Sequence, residues 1–171
     1  MDVHSPEQRS FNMSRIRGTD THPEMMVRKW LWLNGYRYRL HRKNLPGKPD
    51  IVLPKYRVVI FVHGCFWHRH GCHSTTAPES RRDFWNEKFQ ENVRRDKRNI
   101  EALLESAWRV LVVWECTLRG KNAIPDQVAE QIICFMNSEQ SFSETYVGLA
   151  KDTLKWRQKK ELSEKNAKKP R

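Results

Sequence analysis

Residues 61–72 constrain this chain more than any other stretch: Phe-Val-His-Gly-Cys-Phe-Trp-His-Arg-His-Gly-Cys. Two thiols, three imidazoles and a pair of adjacent aromatic residues follow directly after an apolar run that is typical of a buried strand. We interpret Cys65, His70 and Cys72 as zinc ligands, because Zn²⁺ prefers thiolate and imidazole donors and a structural site needs four of them. The predicted fourth ligand is Cys116, where the apolar run 110–114 ends and a neighbouring strand can bring it close.

The alternative is that these cysteines are reduced, buried core residues and the histidines ordinary surface residues. A lone cysteine would favour that alternative, whereas a Cys-x4-His-x-Cys pattern followed by a strand-end cysteine favours zinc. Cys134 lies outside the proposed set and is predicted to be a single buried thiol.

The net charge of +12 is the second strong constraint. A basic chain of this size most often binds a polyanion, and nucleic acid is the usual one. No apolar run is as long as a membrane span, and the first residues lack the apolar core of a signal peptide. We therefore expect a cytoplasmic protein without a membrane contact, in which clustered cysteines indicate a metal rather than disulfides.

The chain divides into a flexible arm over 1–19, one folded domain over 20–140 and an irregular basic tail over 141–171. Residues 151–171 carry nine basic and three acidic residues, a net charge of +6 that adds non-specific affinity for phosphates. Apolar periodicity predicts a helix after the cap at Asp20 or Thr21, strands over 36–41, 49–53 and 56–62, and a long helix over 84–107. A strand over 108–116 and a helix over 124–136 complete an α/β domain, a mixed central sheet flanked by helices.

The second and third predicted strands place Asp50 in a specific position. Only Pro54 and Lys55 link these strands, so they pair antiparallel and bring Asp50 beside Val62 and His63. A carboxylate at a sheet edge within a basic and aromatic surface suggests a metal-dependent nuclease, in which Mg²⁺ neutralises charge on the transition state and orients water. In the commonest restriction-type nucleases the second strand carries Glu-x-Lys, whereas here it carries Phe-Val-His.

The backbone carbonyl of Val62 is then the second predicted Mg²⁺ ligand, and an imidazole replaces the ammonium group. His68, held by Asp96, would accept a proton from the attacking water, because histidine titrates near neutrality. His63 would polarise the phosphate or protonate the leaving oxygen.

Several of these residues together resemble the very-short-patch repair (Vsr) endonucleases, which nick DNA at mismatches. The resemblance covers roughly residues 10–135 and rests most strongly on Pro49-Asp50, on 61–68 and on Trp114-Glu115-Cys116. It implies a restriction-endonuclease-like fold, a structural zinc ion and Mg²⁺-dependent incision of double-stranded DNA beside the thymine of a T:G mismatch. One site and one nick fit a monomer, and we expect the protein to act alongside mismatch repair or a DNA cytosine methyltransferase.

The resemblance assigns roles to individual positions. Asp50 would hold Mg²⁺, His63, His68 and Asp96 would serve the chemistry, and Glu24 would support the site. Cys65, His70, Cys72 and Cys116 match the zinc ligands. Phe66, Trp67 and Trp85 match aromatic residues that insert into the base stack at the mismatch, where a wobble pair is easier to unstack; core packing is the alternative for these rings.

Two departures from the family pattern stand out. Val62 replaces the threonine of better-known members, which matters only if that side chain has a role. Arg69 and Gly71 interrupt the histidine run but leave all three required imidazoles in place.

Two rival functions remain open at this point. A non-enzymatic, zinc-stapled DNA-binding module explains the charge, the metal and the aromatics but gives Asp50, His68 and Asp96 no task. A catalytic zinc is opposed by four protein ligands, because catalytic zinc keeps an open position.

Overall fold

A computed structural model describes residues 8, 11, 18–72, 74, 75, 78, 81–118 and 123–146. Its elements follow the chain in this order: α1 (His22–Leu33), β1 (Arg39–Leu40), β2 (Ile51–Leu53), β3 (Val58–His63), α2 (Cys65–His68), α3 (Arg82–Glu105), β4 (Arg109–Trp114), α4 (Asp126–Asn137) and β5 (Phe142–Glu144). Most of the predicted arm over 1–19 and the tail beyond 146 lie outside the described residues. Among the residues described, no helix is both long and apolar enough to cross a membrane.

The five strands form one mixed sheet in the order β1-β2-β3-β4-β5. The pairs β1/β2 and β2/β3 are antiparallel, whereas β3/β4 and β4/β5 are parallel. Strands β2, β3 and β4 consist mainly of β-branched and other apolar residues and are buried. Burial on both faces accounts for these continuous apolar runs.

Helices cover both faces of the sheet. On one face, Val27 and Leu31 of α1 and Ile132 of α4 pack against Ile60 and Val113. On the other face, Leu103 of α3 packs against strand residues such as Val59 and Val112. The structure therefore confirms a mixed α/β fold with a central sheet between helices.

The cap of α1 is the one predicted at Thr21. The Thr21 hydroxyl accepts a hydrogen bond from the Glu24 N–H at 3.4 Å, and the Glu24 carboxylate accepts one from the Thr21 N–H at 3.2 Å. This reciprocal capping box satisfies two N–H groups that would otherwise lack partners. It also fixes the Glu24 carboxylate at the first turn of the helix.

Two predicted elements differ from the structure. The strand expected over 36–41 is reduced to Arg39–Leu40, because Tyr36 closes the end of α1 by donating its N–H to the Leu31 carbonyl at 2.9 Å. The prediction of irregular chain beyond Ser141 is wrong for Phe142–Glu144, which forms β5. The polar residues of β5 carry little strand signal, and its pairing comes from the otherwise open edge of β4.

Candidate active site

Asp50 and Val62 meet at one end of the sheet, as the strand pairing predicts. The register Ile51↔Ile60 sets Asp50 beside the end of β3, where its Oδ2 accepts a hydrogen bond from the Val62 N–H at 2.7 Å. The Val62 side chain packs against the apolar core beside α1 and α4. Valine in place of threonine therefore leaves the backbone contact with Asp50 intact.

The Asp50 carboxyl group ionises reluctantly in this position. Its pKa is raised to about 6, mainly by burial and also by the nearby Glu24 carboxylate, whereas the hydrogen bond from Val62 acts in the opposite direction. A half-buried carboxylate that resists ionisation gains strongly from a cation, which replaces the solvation lost on burial. The donor set of this corner therefore fits a hard divalent metal ion.

His63, His68 and Asp96 form a second group beside Asp50. The short helix α2, which the sequence analysis did not predict, turns His68 back over His63, and the two imidazole rings stack at 3.8 Å with an interplanar angle of 7°. The His68 Nδ1 donates a hydrogen bond to Asp96 Oδ2 on α3. The nitrogen opposite that bond, His68 Nε2, is thereby the one available to accept a proton.

Burial acts differently on the members of this group. Burial, with a smaller effect of the neighbouring His68, lowers the pKa of His63 to about 3, so His63 is a neutral imidazole at physiological pH. Burial alone would raise the pKa of Asp96, but the hydrogen bond and charge of His68 outweigh it and hold that pKa below its usual range. Groups with perturbed pKa values that share one site are typical of sites that move protons.

An open cleft of about 640 Å³ joins the two groups. Its lining includes Asp50, His63, His68 and Asp96 together with three basic residues, Lys43, Lys48 and Arg95. The cleft thus places the carboxylates and imidazoles within a positively charged rim, which suits a phosphodiester.

Glu24 occupies a buried corner near this cleft, together with residues that the sequence analysis did not single out. The Glu24 carboxylate forms an ion pair with Arg28 and lies 3.5 Å from His41 Nε2. Asp20 pairs with the same guanidinium at 2.5 Å. One signal in the sequence could have revealed Arg28, since it stands at an inward-facing position of α1, one residue after the buried Val27 and three before the buried Leu31.

The structure brings the four predicted zinc ligands together in a separate cluster. The ligand atoms of Cys65, His70, Cys72 and Cys116 all lie within 4.8 Å of one another. His70 Nε2 is 3.3 Å from Cys65 Sγ and 3.4 Å from Cys116 Sγ, close to the ligand separation of roughly 3.3–3.8 Å expected around tetrahedral zinc. The donor types and their spacing fit a metal ion. Cys134, predicted to be buried, is exposed on α4 instead.

Trp114 lies between the cysteine-histidine cluster and the histidine pair. Its ring stacks on His70 at 4.0 Å and meets the edge of His63 at 5.4 Å. The indole Nε1 donates to Glu144 on β5 at 3.2 Å. The strand that was not predicted therefore orients a ring that contacts both groups.

The three predicted wedge residues form one aromatic cluster. Phe66 contacts Trp67 at 5.0 Å and Trp85 at 5.6 Å between ring centroids, and Phe89 lies beneath at 5.2 Å. Phe66, Trp67 and Trp85 are each half-buried rather than fully exposed. Asn92 donates its side-chain N–H to the Trp67 carbonyl at 3.2 Å and fixes the end of α2.

The elevated pKa of Asp50 predicts that this carboxylate destabilises the protein when no divalent cation is bound. The folded state holds the proton up to about pH 6 and the unfolded state only to about pH 4, so stability falls as pH rises between these values. Asp50→Asn removes a cost of up to about 3 kcal/mol above pH 6. Urea unfolding without added divalent cations should show the variant more stable than wild type at pH 8, with little difference near pH 4.

Asp83→Asn, at an exposed position of α3, is the matched control and should change stability little at either pH. An Asp50→Asn variant that is less stable than wild type at pH 8 would contradict the proposed electrostatic cost.

Comparison with known proteins identifies the family. Residues 1–74 match the family model described as DNA mismatch endonuclease Vsr. The chain is 52% identical over 120 residues to the type II nicking enzyme V.XorIIP of Xanthomonas oryzae pv. oryzae, an alignment that covers 70% of this chain and 88% of the relative. It is 47% identical over 120 residues to the type II nicking enzyme V.NmeAIP of Neisseria meningitidis, covering 70% and 86% respectively.

A third relative is the DNA mismatch endonuclease Vsr of Escherichia coli K12, which is 45% identical over 137 residues. That alignment covers 78% of this chain and 88% of the relative. These matches confirm the resemblance inferred from 49–50, 61–68 and 114–116. The chain belongs to the Vsr family of DNA mismatch endonucleases.

Proposed function

We propose that this protein is a DNA mismatch endonuclease that nicks one strand of double-stranded DNA beside the thymine of a T:G mismatch. The observation that carries this proposal is the single cleft in which Asp50, His63, His68 and Asp96 meet under a basic rim. Membership of the Vsr family supplies the substrate class. A binding module alone would leave the strongly perturbed ionisation of Asp50 and His63 without a task.

Asp50 and the backbone carbonyl of Val62 would hold the catalytic cation, for which we propose Mg²⁺. When bound, that ion supplies positive charge to the phosphate oxygens and to the attacking water. Carboxylate and carbonyl oxygens are the hard donors that Mg²⁺ prefers. The restriction-endonuclease-like arrangement we infer here differs from the Glu-x-Lys pattern, because Phe61-Val62-His63 supplies a carbonyl and an imidazole instead.

The two histidines have different tasks in this proposal. His68 Nε2 accepts a proton from the water that attacks phosphorus, and the Asp96 carboxylate stabilises the imidazolium that forms. As the new phosphorus–oxygen bond forms, the bond to the leaving sugar oxygen breaks, and that oxygen takes its proton from solvent water. The neutral state of His63 favours the first of its two predicted roles, in which an imidazole N–H donates a hydrogen bond to the phosphate. Glu24 would support this site through its ion pair with Arg28 in the buried corner near Asp50.

Cys65, His70, Cys72 and Cys116 would bind a structural Zn²⁺ with all four positions filled by protein. When bound, that ion crosslinks the segment after β3 to the segment after β4. His68 lies on the first of these segments, so the metal would hold His68 against Asp96.

Phe66, Trp67 and Trp85 would enter the base stack at the mismatch. Partial exposure of three large rings in one aromatic cluster supports this role, because apolar side chains that unstack a base step lie at the protein surface. We further propose that the protein acts as a monomer in the bacterial cytoplasm, and that it accompanies mismatch repair or a DNA cytosine methyltransferase.

The decisive experiment is strand-specific cleavage of labelled duplexes that contain one T:G mismatch in varied sequence contexts. We expect nicks in the thymine strand only, dependent on Mg²⁺ and abolished by Asp50→Asn. His68→Ala should lower kcat by about 10²–10⁴-fold, the usual contribution of a general base. Matched T:A duplexes and the variant Glu101→Gln, an exposed acid on α3, serve as controls. Tight binding to T:G duplexes without a nick in any context would favour the non-enzymatic binding module.

The zinc assignment predicts one zinc ion per chain by mass spectrometry of the purified protein. Cys116→Ser should lose the ion and lower the melting temperature, because a hydroxyl group is a poor zinc ligand. Cys134→Ser is the matched control, since it removes an exposed thiol outside the cluster and should retain full zinc. Nicking by zinc-loaded protein in the absence of Mg²⁺ would instead indicate a catalytic zinc.

The wedge assignment predicts that Trp67→Ala weakens binding to a T:G duplex by about 5- to 150-fold, the equivalent of one aromatic stack on a base. Fluorescence of a 2-aminopurine beside the mismatch should rise on binding of wild-type protein and stay low with the variant. Trp32→Ala is the control, because Trp32 is 57% exposed and packs against Arg37 at the end of α1. Equal losses of DNA affinity for the two variants would indicate that these rings have a packing role instead.

A further inference from the structure

Arg28 is a charged residue in a position that normally holds an apolar one. It lies on the inward face of α1 beside Val27, and its side chain is only 6% exposed. Burial of a guanidinium group is strongly unfavourable before any partner is counted, because the charge loses its hydration. Such a residue needs an explanation in its contacts.

The guanidinium group joins three segments of the chain. Its Nη1 donates to Asp20 Oδ1 at 2.5 Å, its Nη2 donates to Glu24 Oε1, and the same Nη2 lies 2.8 Å from His41 Nε2. Asp20 precedes α1, Glu24 lies in the first turn of α1, and His41 follows β1. One side chain therefore links the start of α1 to the loop that leads into Asp50.

Arg28 also determines which nitrogen of His41 carries hydrogen. A guanidinium group has only donors, so His41 Nε2 must accept and the ring hydrogen resides on Nδ1. The backbone of His41 is tied to the same corner, because its N–H donates to the Asp50 carbonyl at 3.4 Å. The imidazole lines the cleft beside Asp50.

The charge of Arg28 acts on Asp50 as well. Glu24 and Arg28 act on the Asp50 carboxyl group with opposite signs: the Glu24 carboxylate disfavours a negative charge there and the Arg28 guanidinium favours it. Arg28 thus opposes the repulsion between the two carboxylates. Without its positive charge, Glu24 would be an uncompensated anion beside Asp50.

Stability alone is a weak explanation for this arrangement. The buried Nε of Arg28 has no hydrogen-bond partner within the described structure, and a buried ion pair often contributes no more than apolar residues of similar volume. What distinguishes Arg28 from other buried ion-pair residues is its contact with His41, which lines the cleft and is hydrogen-bonded to the backbone of Asp50.

We propose that Arg28 is a positioning residue, whose guanidinium group holds His41 on the wall of the cleft and Glu24 in the buried corner near it, and balances the Glu24 charge beside Asp50. This inference rests on the proposed function of Asp50 as the carboxylate that binds the catalytic cation. It predicts two effects of opposite sign when Arg28 is removed, because cation binding and catalysis depend on it in different ways. A merely structural residue would weaken both.

The test uses Arg28→Met, Glu24→Gln, the double variant and Arg28→Lys, each as full-length, zinc-loaded protein. Lys29→Met is the matched control, since it removes one positive charge from an exposed position of the same helix. Mn²⁺ affinity is measured by electron paramagnetic resonance without DNA, kcat and KM are measured on a T:G duplex, and thermal unfolding reports the fold.

For Arg28→Met we expect Mn²⁺ to bind roughly 3- to 10-fold more tightly, because one positive charge near the site is gone. We expect kcat to fall at least about 10-fold, a cost typical of misplaced catalytic groups, with KM for DNA within about threefold of wild type. In the double variant the charges are removed as a pair, so Mn²⁺ affinity should return to within about twofold of wild type. Its kcat should be no lower than that of the weaker single variant.

Arg28→Lys keeps the charge and loses the planar fork, which separates charge from geometry. We expect it to retain wild-type Mn²⁺ affinity and to lose kcat at least about fivefold, because an ammonium group cannot span all three partners. Wild-type kcat in Arg28→Lys, weaker Mn²⁺ binding in Arg28→Met, or independent losses that multiply in the double variant would each overturn the proposal. The double and lysine variants decide the matter if Arg28→Met fails to fold.

Asp50→Asn separates this inference from the proposed function. If Asp50→Asn abolishes Mn²⁺ binding and the Arg28 variants behave like wild type, only the role of Arg28 is wrong. If Asp50→Asn binds Mn²⁺ as wild type does, the metal assignment of the proposed function fails instead.

Discussion

The parallel pairing of β3 with β4 is the interaction on which the rest of the structure depends. It runs from Val58↔Arg109 to His63↔Trp114 and brings the chain after each strand to the same edge of the sheet. His63 and the segment 65–72 leave one strand at this edge, while Cys116 follows the other. A slip of this pairing by one residue would turn the side chains of one strand to the opposite face and separate both groups of site residues.

The cleft contains ionisable groups that are poorly solvated or repel one another, and a buried apolar core surrounds them. Asp50 and Glu24 are carboxylates in a poorly solvated corner, and His63 is an imidazole kept neutral by burial. None of these arrangements favours folding by itself. They are kept in place by the apolar strands β2 and β3, whose residues are almost fully buried and leave little room for rearrangement. A rigid core of this kind lets a protein hold groups in unfavourable ionisation states, which is the condition for useful reactivity.

Much of this arrangement can be predicted from local sequence patterns, and the remainder depends on contacts between distant segments. Periodicity located α1, α3 and α4, and the short link at Pro54 and Lys55 was sufficient to place Asp50 beside Val62. Helix α2 was missed because four residues within a metal-binding motif carry no helical period. Strand β5 was missed because its pairing depends on an open edge of β4 rather than on its own residues.

The same limit applies to side chains. The pattern Cys-x4-His-x-Cys identified a cluster that the structure does bring together, since ligand spacing is a local property. The contact of Arg28 with His41 is not local: it joins α1 to the loop after β1 and depends on where both segments lie. The half-buried state of Phe66 and Trp67 likewise depends on α3, which is distant in sequence.

The parallel stacking of His63 on His68 has a consequence for the electrical state of the cleft. Two imidazole rings at 3.8 Å cannot both be cations without strong repulsion, so a proton on one ring excludes a proton from the other. The pair therefore holds at most one positive charge, and the Asp96 carboxylate lies against the His68 ring. In the proposed mechanism, the proton that His68 accepts from water must leave before the ring can accept another.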